Sequence, residues 1–251
     1  MTTVKVSIPQ IAKFIDHSLL QPTMTDEEIL KGLKTARDLG TATACVKPYS
    51  IPVAKDVLAG SGVGICPVIG FPHGNSTTKV KVFEAVEAAK EGGSEIDMVV
   101  NVGKVLGGQW DYVEQEIKEI NEAVVEQGAI LKVIFETDFL QNEHIIKLCE
   151  ICTRVKVAFV KTSTGYGYVK VADGNYNYKG ATLEHLRLMK QHCGPDIQIK
   201  ASGGVRNLDQ VLQVIALGVN RIGASATESI LAEARARGIG NEPVEVKVEL
   251  P

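Results

Sequence analysis

Two short apolar runs of this chain each end on a lysine. Val157-Ala158-Phe159-Val160-Lys161 leads into Thr162-Ser163-Thr164-Gly165, and Ile197-Gln198-Ile199-Lys200 leads into Ala201-Ser202-Gly203-Gly204. Runs of β-branched and aromatic residues bounded by Ser, Thr and Gly read as buried parallel strands opening into loops. Lysine is rarely buried without a partner, because an isolated ammonium in a low dielectric tends to lose its proton rather than keep its charge. A neutral amine is a nucleophile toward carbonyls. On adjacent strands, about 4.8 Å apart, Lys161 and Lys200 would be neighbours, and their repulsion is expected to lower the pKa of one.

Other ionisable residues lie on similar runs. Lys132 is central in Ile130-Leu131-Lys132-Val133-Ile134 and shares strand parity with Glu136, so an inward side is expected for it. Asp97, in Glu95-Ile96-Asp97-Met98-Val99-Val100, and Asp16 are the carboxylates available to balance such a cluster or to move protons. A salt-bridged structural aspartate is the plain alternative for Asp97. His17, Cys45, Lys47, Asn101 and Thr162 to Thr164 also fall near strand ends.

A glycine-rich constellation follows two successive strands, Gly203-Gly204 and Gly223-Ala224-Ser225. Barrels often hold a phosphate at such turns, on backbone N–H groups and a helix amino terminus. Arg206 either adds charge there or faces solvent. Cys149-x-x-Cys152 lies in a helical pattern and reads as packing, and the five histidines show no metal-ligand spacing, so no metal site is expected. His73, in Phe71-Pro72-His73-Gly74, reads as structural.

The elements that must position these residues are legible as a repeat. Strands are predicted near Phe14–His17, Thr43–Lys47, Gly64–Ile69, Glu95–Asn101, Leu131–Thr137, Val157–Thr162, Ile197–Ser202 and Arg221–Ala224. Helices are predicted over Asp26–Leu39, behind the capping box Thr25-x-x-Glu28, over Tyr112–Gln127, stopped by Gly128, and over Asn207–Leu217, capped by Asn207. Eight strands alternating with helices predict an α/β protein, a single (β/α)8 barrel with an extra amino-terminal helix and its site at the carboxyl ends of the strands. An open doubly wound sheet is the alternative, disfavoured because no Gly-x-Gly-x-x-Gly follows the first strands.

Residues 1–240 are assigned to the barrel. Residues 241–251, alternating valine and charge after a Gly/Asn/Pro break, are read as a frayed end rather than an edge strand. Gly165–Gly180 holds four of the six tyrosines and four glycines just after a strand, a long loop of the kind that forms lids or mobile surface.

At 251 residues, 45% hydrophobic and 23% charged, the composition is that of a globular chain with a large core. A net charge of −3 gives no pull toward nucleic acid or anionic lipid. No run approaches the roughly 18 apolar residues of a membrane span, and the amino terminus lacks a signal-peptide core. Five cysteines without a small-domain framework fit a reducing, cytoplasmic setting.

Seven motifs, in order between about residues 11 and 235, resemble the deoxyribose-phosphate aldolase family. They are Ile15-Asp16-His17-Ser18-Leu19-Leu20, Gly70-Phe71-Pro72-His73-Gly74, Glu95-Ile96-Asp97-Met98-Val99, Lys132-Val133-Ile134-Phe135-Glu136-Thr137, Phe159-Val160-Lys161-Thr162-Ser163-Thr164-Gly165, Lys200-Ala201-Ser202-Gly203-Gly204-Val205-Arg206 and Arg221-Ile222-Gly223-Ala224-Ser225. The resemblance implies a class I aldolase that cleaves 2-deoxy-D-ribose 5-phosphate reversibly to acetaldehyde and D-glyceraldehyde 3-phosphate, without a cofactor.

By that resemblance Lys161 is the Schiff-base lysine, Lys200 the lysine that lowers its pKa, and Asp97 the proton-transfer aspartate. Asp16, Lys132, Thr162 and Gly165 belong to the substrate pocket, and Gly203, Gly204, Gly223 and Ser225 to the phosphate cradle. Two departures stand out: Ala226 where the family often has a second Ser, and a Tyr-rich stretch after Gly165 longer than the usual loop. The implied partners are small phosphosugar and aldehyde substrates, with homo-oligomerisation left open by the apolar helix faces. The competing readings are a phosphate-binding isomerase with Asp97 or Glu136 as base, and a phosphosugar sensor with a dead site.

Overall fold

Eight short strands, buried along almost their whole length, form the wall of a closed parallel barrel in the computed structural model, which describes residues 1–250. Val, Ile, Leu, Ala and Cys fill most of their positions, as strands covered on both faces require, and most of the polar residues among them are buried in the interior. The chain begins β1 (Thr2–Val6), α1 (Ile8–Lys13), β2 (Ile15–Leu19), α2 (Asp26–Leu39), β3 (Thr43–Val46), α3 (Ile51–Leu58), β4 (Gly64–Ile69), α4 (Thr78–Glu91) and β5 (Glu95–Val99). It continues α5 (Val102–Leu106), α6 (Trp110–Glu126), β6 (Ile130–Ile134), α7 (Asn142–Val155), β7 (Phe159–Lys161), β8 (Val169–Lys170) and β9 (Tyr176–Asn177). The last elements are α8 (Leu183–His192), β10 (Gln198–Ser202), α9 (Leu208–Ala216), β11 (Arg221–Ala224), α10 (Thr227–Ala236) and β12 (Val244–Val248).

The barrel runs β2-β3-β4-β5-β6-β7-β10-β11 and closes where β11 pairs with β2. This is the predicted (β/α)8 architecture. Register fixes the chemistry: Lys161 stands opposite Lys200, Lys132 opposite Asp97, and Asp16 opposite Gly223. Side chains alternate sides along a strand, so residues paired in register share a face.

The helices follow local rules. Around α2, Thr25 and Glu28 cap each other reciprocally and Gly40 ends the helix at φ +65°. Ile29, Leu33 and Ala36 turn one buried stripe to the wall. Asn207 caps α9 by accepting the Gln210 N–H at 3.0 Å. No helix among the described residues is long and apolar enough to cross a membrane.

Three expectations change. β5 ends at Val99 rather than Asn101, because the Asn101 side chain turns to cap α5 and accepts the Lys104 N–H. β6 ends at Ile134 rather than Thr137, because Glu136 takes a left-handed conformation at φ 59°. The tail read as frayed is instead the strand β12, paired antiparallel with β1 over five positions from Thr2↔Val248 to Val6↔Val244. Both strands alternate valine with polar residues, so each supplies the other's missing ladder. The ribbon buries Val4, Val6 and Val248 in the cluster that contains Leu212 of α9.

Candidate active site

All eight barrel strands place a side chain in one buried hydrogen-bonded network. Asp97 of β5 is its centre. Its Oδ2 lies 2.6 Å from Lys161 Nζ (β7) and 2.8 Å from Lys200 Nζ (β10). Its Oδ1 lies 3.1 Å from Lys132 Nζ (β6) and accepts from Cys66 Sγ (β4) at 3.0 Å. Asp16 of β2 holds Lys200 at 2.6 Å, Lys132 at 3.4 Å, Arg221 (β11) at 2.7 Å, and accepts from the Thr43 hydroxyl (β3) at 2.7 Å. Glu95 adds a contact to Lys132 at 2.6 Å and to Arg221 at 3.1 Å. Four cations therefore meet three carboxylates, most of them fully buried.

Burial by itself would push the Asp97 and Asp16 carboxyls up. The charges of Lys132, Lys161 and Lys200 around Asp97, and of Lys132, Lys200 and Arg221 around Asp16, outweigh it and hold both well below the usual carboxylate range. Burial likewise opposes the charge on Lys132 and Lys200. Asp16 and Asp97 overcome it and raise both ammoniums above their ordinary values. One carboxylate oxygen bonds both Lys161 and Lys200, and it offsets the repulsion expected between the two neighbours.

The two lysines are not equivalent. Lys200 engages two carboxylates, Asp16 and Asp97, whereas the salt bridge of Lys161 among the described residues is to Asp97 alone, through the oxygen it shares. Lys161 is thus held by one carboxylate where Lys200 is held by two.

Above the network opens a cavity of about 240 Å3 with Lys161 and Lys200 in its floor. Its walls include Ser18, Leu20, Cys45, Thr164, Gly165, Tyr166 and the turn Gly203-Gly204. Of the residues predicted to bind substrate, Gly165, Gly203, Gly204, Gly223 and Ser225 line it. Asp16, Lys132 and Thr162 do not. The first two lie beneath the lysines, and the Thr162 hydroxyl is spent joining β7 to β10, donating to Ser202 O at 2.9 Å and accepting the Ser202 N–H at 3.0 Å. Asp97 is also below the floor, in reach of the cavity through the two lysines.

Gly203 and Gly204 both sit at φ +83°, in the left-handed region that favours glycine. Gly223 runs so close that a Cβ there would lie 3.4 Å from Lys200 Cε. The ten-residue helix α10 starts beside Ser225 at Ala226, which provides no side-chain cap. A second cavity, largely apolar, adjoins through Leu20 and Tyr166 and is walled by Val68, Ile69, Phe71 and Pro72.

Two trios of candidate metal ligands, Cys45 with Cys66 and Asp97, and Asp16 with Cys66 and Glu95, bring their donor atoms within 4.8 Å. In each, the Lys132 ammonium already bonds Cys66 at 3.0 Å and a carboxylate. A cation would have to displace an ammonium.

Glu136, two residues past the end of β6, is held at Thr164. Its carboxylate accepts the Thr164 N–H at 3.2 Å and bonds the Thr164 hydroxyl. Burial, only partly offset by these bonds, pushes its carboxyl up to about 7. A carboxyl whose folded value exceeds its unfolded value of about 4.3 binds more protons in the folded state, so stability falls as pH rises from about 4.5 to 7. The expected loss is about 3 kcal/mol between pH 5 and 8. Urea unfolding of Glu136→Gln should lack that slope; equal pH dependence in variant and parent would mean the carboxyl titrates as it does in water.

Sequence reasoning missed Cys66, Glu95 and Arg221. Glu95 and Arg221 open their strands, where charge ordinarily means a solvated edge, and Cys66 carries no motif. Arg221 stands in register with Lys200 and Cys66 with Cys45, whereas Glu95 stands opposite Ile130 and its signal is its place two residues before Asp97.

The chain was compared with known proteins. The family described as DeoC/LacD family aldolase matches residues 10–234. The deoxyribose-phosphate aldolase of Rhodopirellula baltica is 47% identical over 236 residues, covering 94% of this chain and 93% of that protein. Among solved structures, a putative deoxyribose-phosphate aldolase from Coccidioides immitis superposes with a TM-score of 0.84 at 34% identity, covering 92% of this chain and 88% of that one. The tetrameric deoxyribose phosphate aldolase of Aeropyrum pernix follows with a TM-score of 0.80 at 27% identity, over 91% and 93%. With the profile spanning the barrel from its first helix through α10, the chain belongs to the DeoC/LacD family of aldolases.

Proposed function

We propose that the chain is a class I deoxyribose-phosphate aldolase, converting 2-deoxy-D-ribose 5-phosphate reversibly into acetaldehyde and D-glyceraldehyde 3-phosphate. The observation that carries this reading is the cavity floor, where Lys161 shares its carboxylate oxygen with a Lys200 that holds a second carboxylate.

Lys161 attacks the C1 aldehyde of the open-chain sugar as the free amine, and loss of water leaves a protonated imine. The imine is an electron sink. The C3 hydroxyl gives up its proton, the C2–C3 bond breaks, its electrons form an enamine on Lys161, and glyceraldehyde 3-phosphate departs. Protonation of the enamine and hydrolysis release acetaldehyde. The imine supplies the electron withdrawal, so the sequence of steps needs no cofactor.

Asp97 relays protons, since one oxygen bonds both nitrogens. Held low by three lysines, it passes a proton on rather than storing it. Lys200 keeps its positive charge beside the reacting carbon and polarises the carbinolamine oxygen. Asp16 and Lys132 act from below, fixing Lys200 and Asp97 in place. Gly203, Gly204, Gly223 and Ser225 hold the phosphate, whose binding energy positions the reacting carbons.

The partners proposed are these small molecules, with no nucleic acid; a cytoplasmic location and assembly into a homo-oligomer belong to the same reading. Formation of glyceraldehyde 3-phosphate from 2-deoxyribose 5-phosphate, followed in a coupled assay, tests it. A phosphosugar isomerase would turn over without a borohydride-trappable adduct, and a sensor would bind without cleaving.

A further inference from the structure

Glu136 stands in a conformation that favours neither its backbone nor its burial. It follows β6 in the left-handed region at φ 59°, where a residue with a Cβ is strained. It is 1% exposed, and burial disfavours its charged form. An asparagine or a glycine would relieve the strain, and a neutral side chain would remove the buried charge. A residue that costs stability in two ways is one that the fold alone does not call for.

Its place is set by the strand that carries the nucleophile. The Phe135 N–H donates to Lys161 O at 2.9 Å and the Thr137 N–H to Thr162 O at 3.0 Å, so Glu136 is bracketed by bonds to that strand end. Both carboxylate oxygens accept the Thr164 N–H, at 3.2 and 3.3 Å, and Oε2 also accepts from the Thr164 hydroxyl. The hydroxyl oxygen in turn accepts the Tyr166 N–H at 2.9 Å. Gly167 closes over the carboxylate so tightly that a Cβ there would lie 2.6 Å from Glu136 Cδ. The Tyr166 ring meets Phe71 edge-on, with centroids 5.7 Å apart at 86°. Thr164, Gly165 and Tyr166 all line the cavity over Lys161, and Tyr166 also walls the apolar cavity beside it.

We propose that Glu136 is a positioning residue for the aldolase reaction: through Thr164 it fixes the wall Thr164-Gly165-Tyr166 that orients the bound sugar over Lys161. The proposal rests on the aldolase reading for its reaction. The carboxylate ties this wall to residues bonded directly to the backbone of Lys161 and Thr162, so wall and amine keep one geometry. Misplacing a reacting group by about 1 Å costs about 10^2-fold in rate. Acetaldehyde is too short to need the wall; the open-chain sugar is not.

The test uses Glu136→Gln, which keeps the shape and removes the charge. At pH 8 the variant should resist urea at least as well as the parent, while kcat for 2-deoxyribose 5-phosphate falls about 10- to 100-fold with KM unchanged. Borohydride trapping of acetaldehyde on Lys161 should proceed at the parent's rate. A residue with only a structural role does not lower turnover while its removal preserves stability. Thr164→Val breaks the same tie from the other side, leaves Glu136 in place, and should lower kcat to a similar extent. The double variant should lose no more than the larger single loss, because the two residues act as a unit.

Parent-like kcat in Glu136→Gln overturns the proposal and leaves the aldolase reading intact. So does stability that falls together with turnover, the mark of a structural residue. Slowed acetaldehyde trapping overturns it too, since the effect would then lie at the amine and not at the wall. Multiplicative losses in the double variant do the same, because Glu136 would then act by a route other than Thr164. A parent that traps no aldehyde on Lys161 ends the aldolase reading and the proposal with it, and the parent alone shows that.

Discussion

Lys161→Ala is expected to give a folded, inert barrel: turnover falls by about 10^4-fold or more while stability barely changes. The first half follows from the chemistry. With no amine in the floor able to form the imine, the C2–C3 bond has no electron sink, and the remaining groups act only on a covalent intermediate that is never made. The second half follows from the charge count. Asp97 keeps Lys132 and Lys200, so no carboxylate is stranded, and one of four cations facing three carboxylates is gone.

Borohydride with substrate should add mass to Lys161 in the parent and nowhere in the variant, read by peptide mass spectrometry. Trapped mass on Lys200 would reverse the roles of the two lysines. A variant that unfolds near the parent's working temperature would show that Lys161 is a structural cation.

Asp97→Asn should fail in the opposite way, through both stability and rate. An amide cannot offset charge, so Lys132, Lys161 and Lys200 lose their shared counter-ion in a fully buried site. Removing one partner of a buried ion pair costs about 3–5 kcal/mol. That is a large share of the roughly 5–15 kcal/mol that separates most folded domains from their unfolded states. The activity of whatever remains folded should fall by about 10^2- to 10^4-fold with the proton relay gone. Urea unfolding at pH 7.5 together with single-turnover kinetics separates the two losses. Parent-like stability would mean that Asp16 and Glu95 alone balance the cluster.

How far the site was legible depended on how local its causes are. Lys161 and Lys200 announce themselves because each breaks an apolar run at the point where Ser, Thr and Gly begin. Nothing but a strand end explains that pattern, and register then made them neighbours. The boundaries of α2 coincide with the predicted Asp26–Leu39 because its capping box and its left-handed glycine lie within the helix's own turns.

Glu136 lies beyond β6 in a left-handed conformation, and no glycine stands there to mark the strand's end, which is why the strand was expected to reach Thr137. The pairing of β1 with β12 joins residues almost the whole chain apart, and neither strand is long or apolar enough to reveal the other. The interleaving of carboxylates with lysines, which turned an expected repulsion into a balanced network, depends on side-chain positions that no run of residues encodes.

Because several contacts of the network, Asp16 to Lys132 and Asp97 to Lys200 among them, cross the closed ring, a fragment of the barrel assembles only part of it. A chain stopped after β7 would own Asp16, Asp97, Lys132 and Lys161 but lack both Lys200 and Arg221, leaving anions with too few companions. Catalytic competence and closure are the same molecular event.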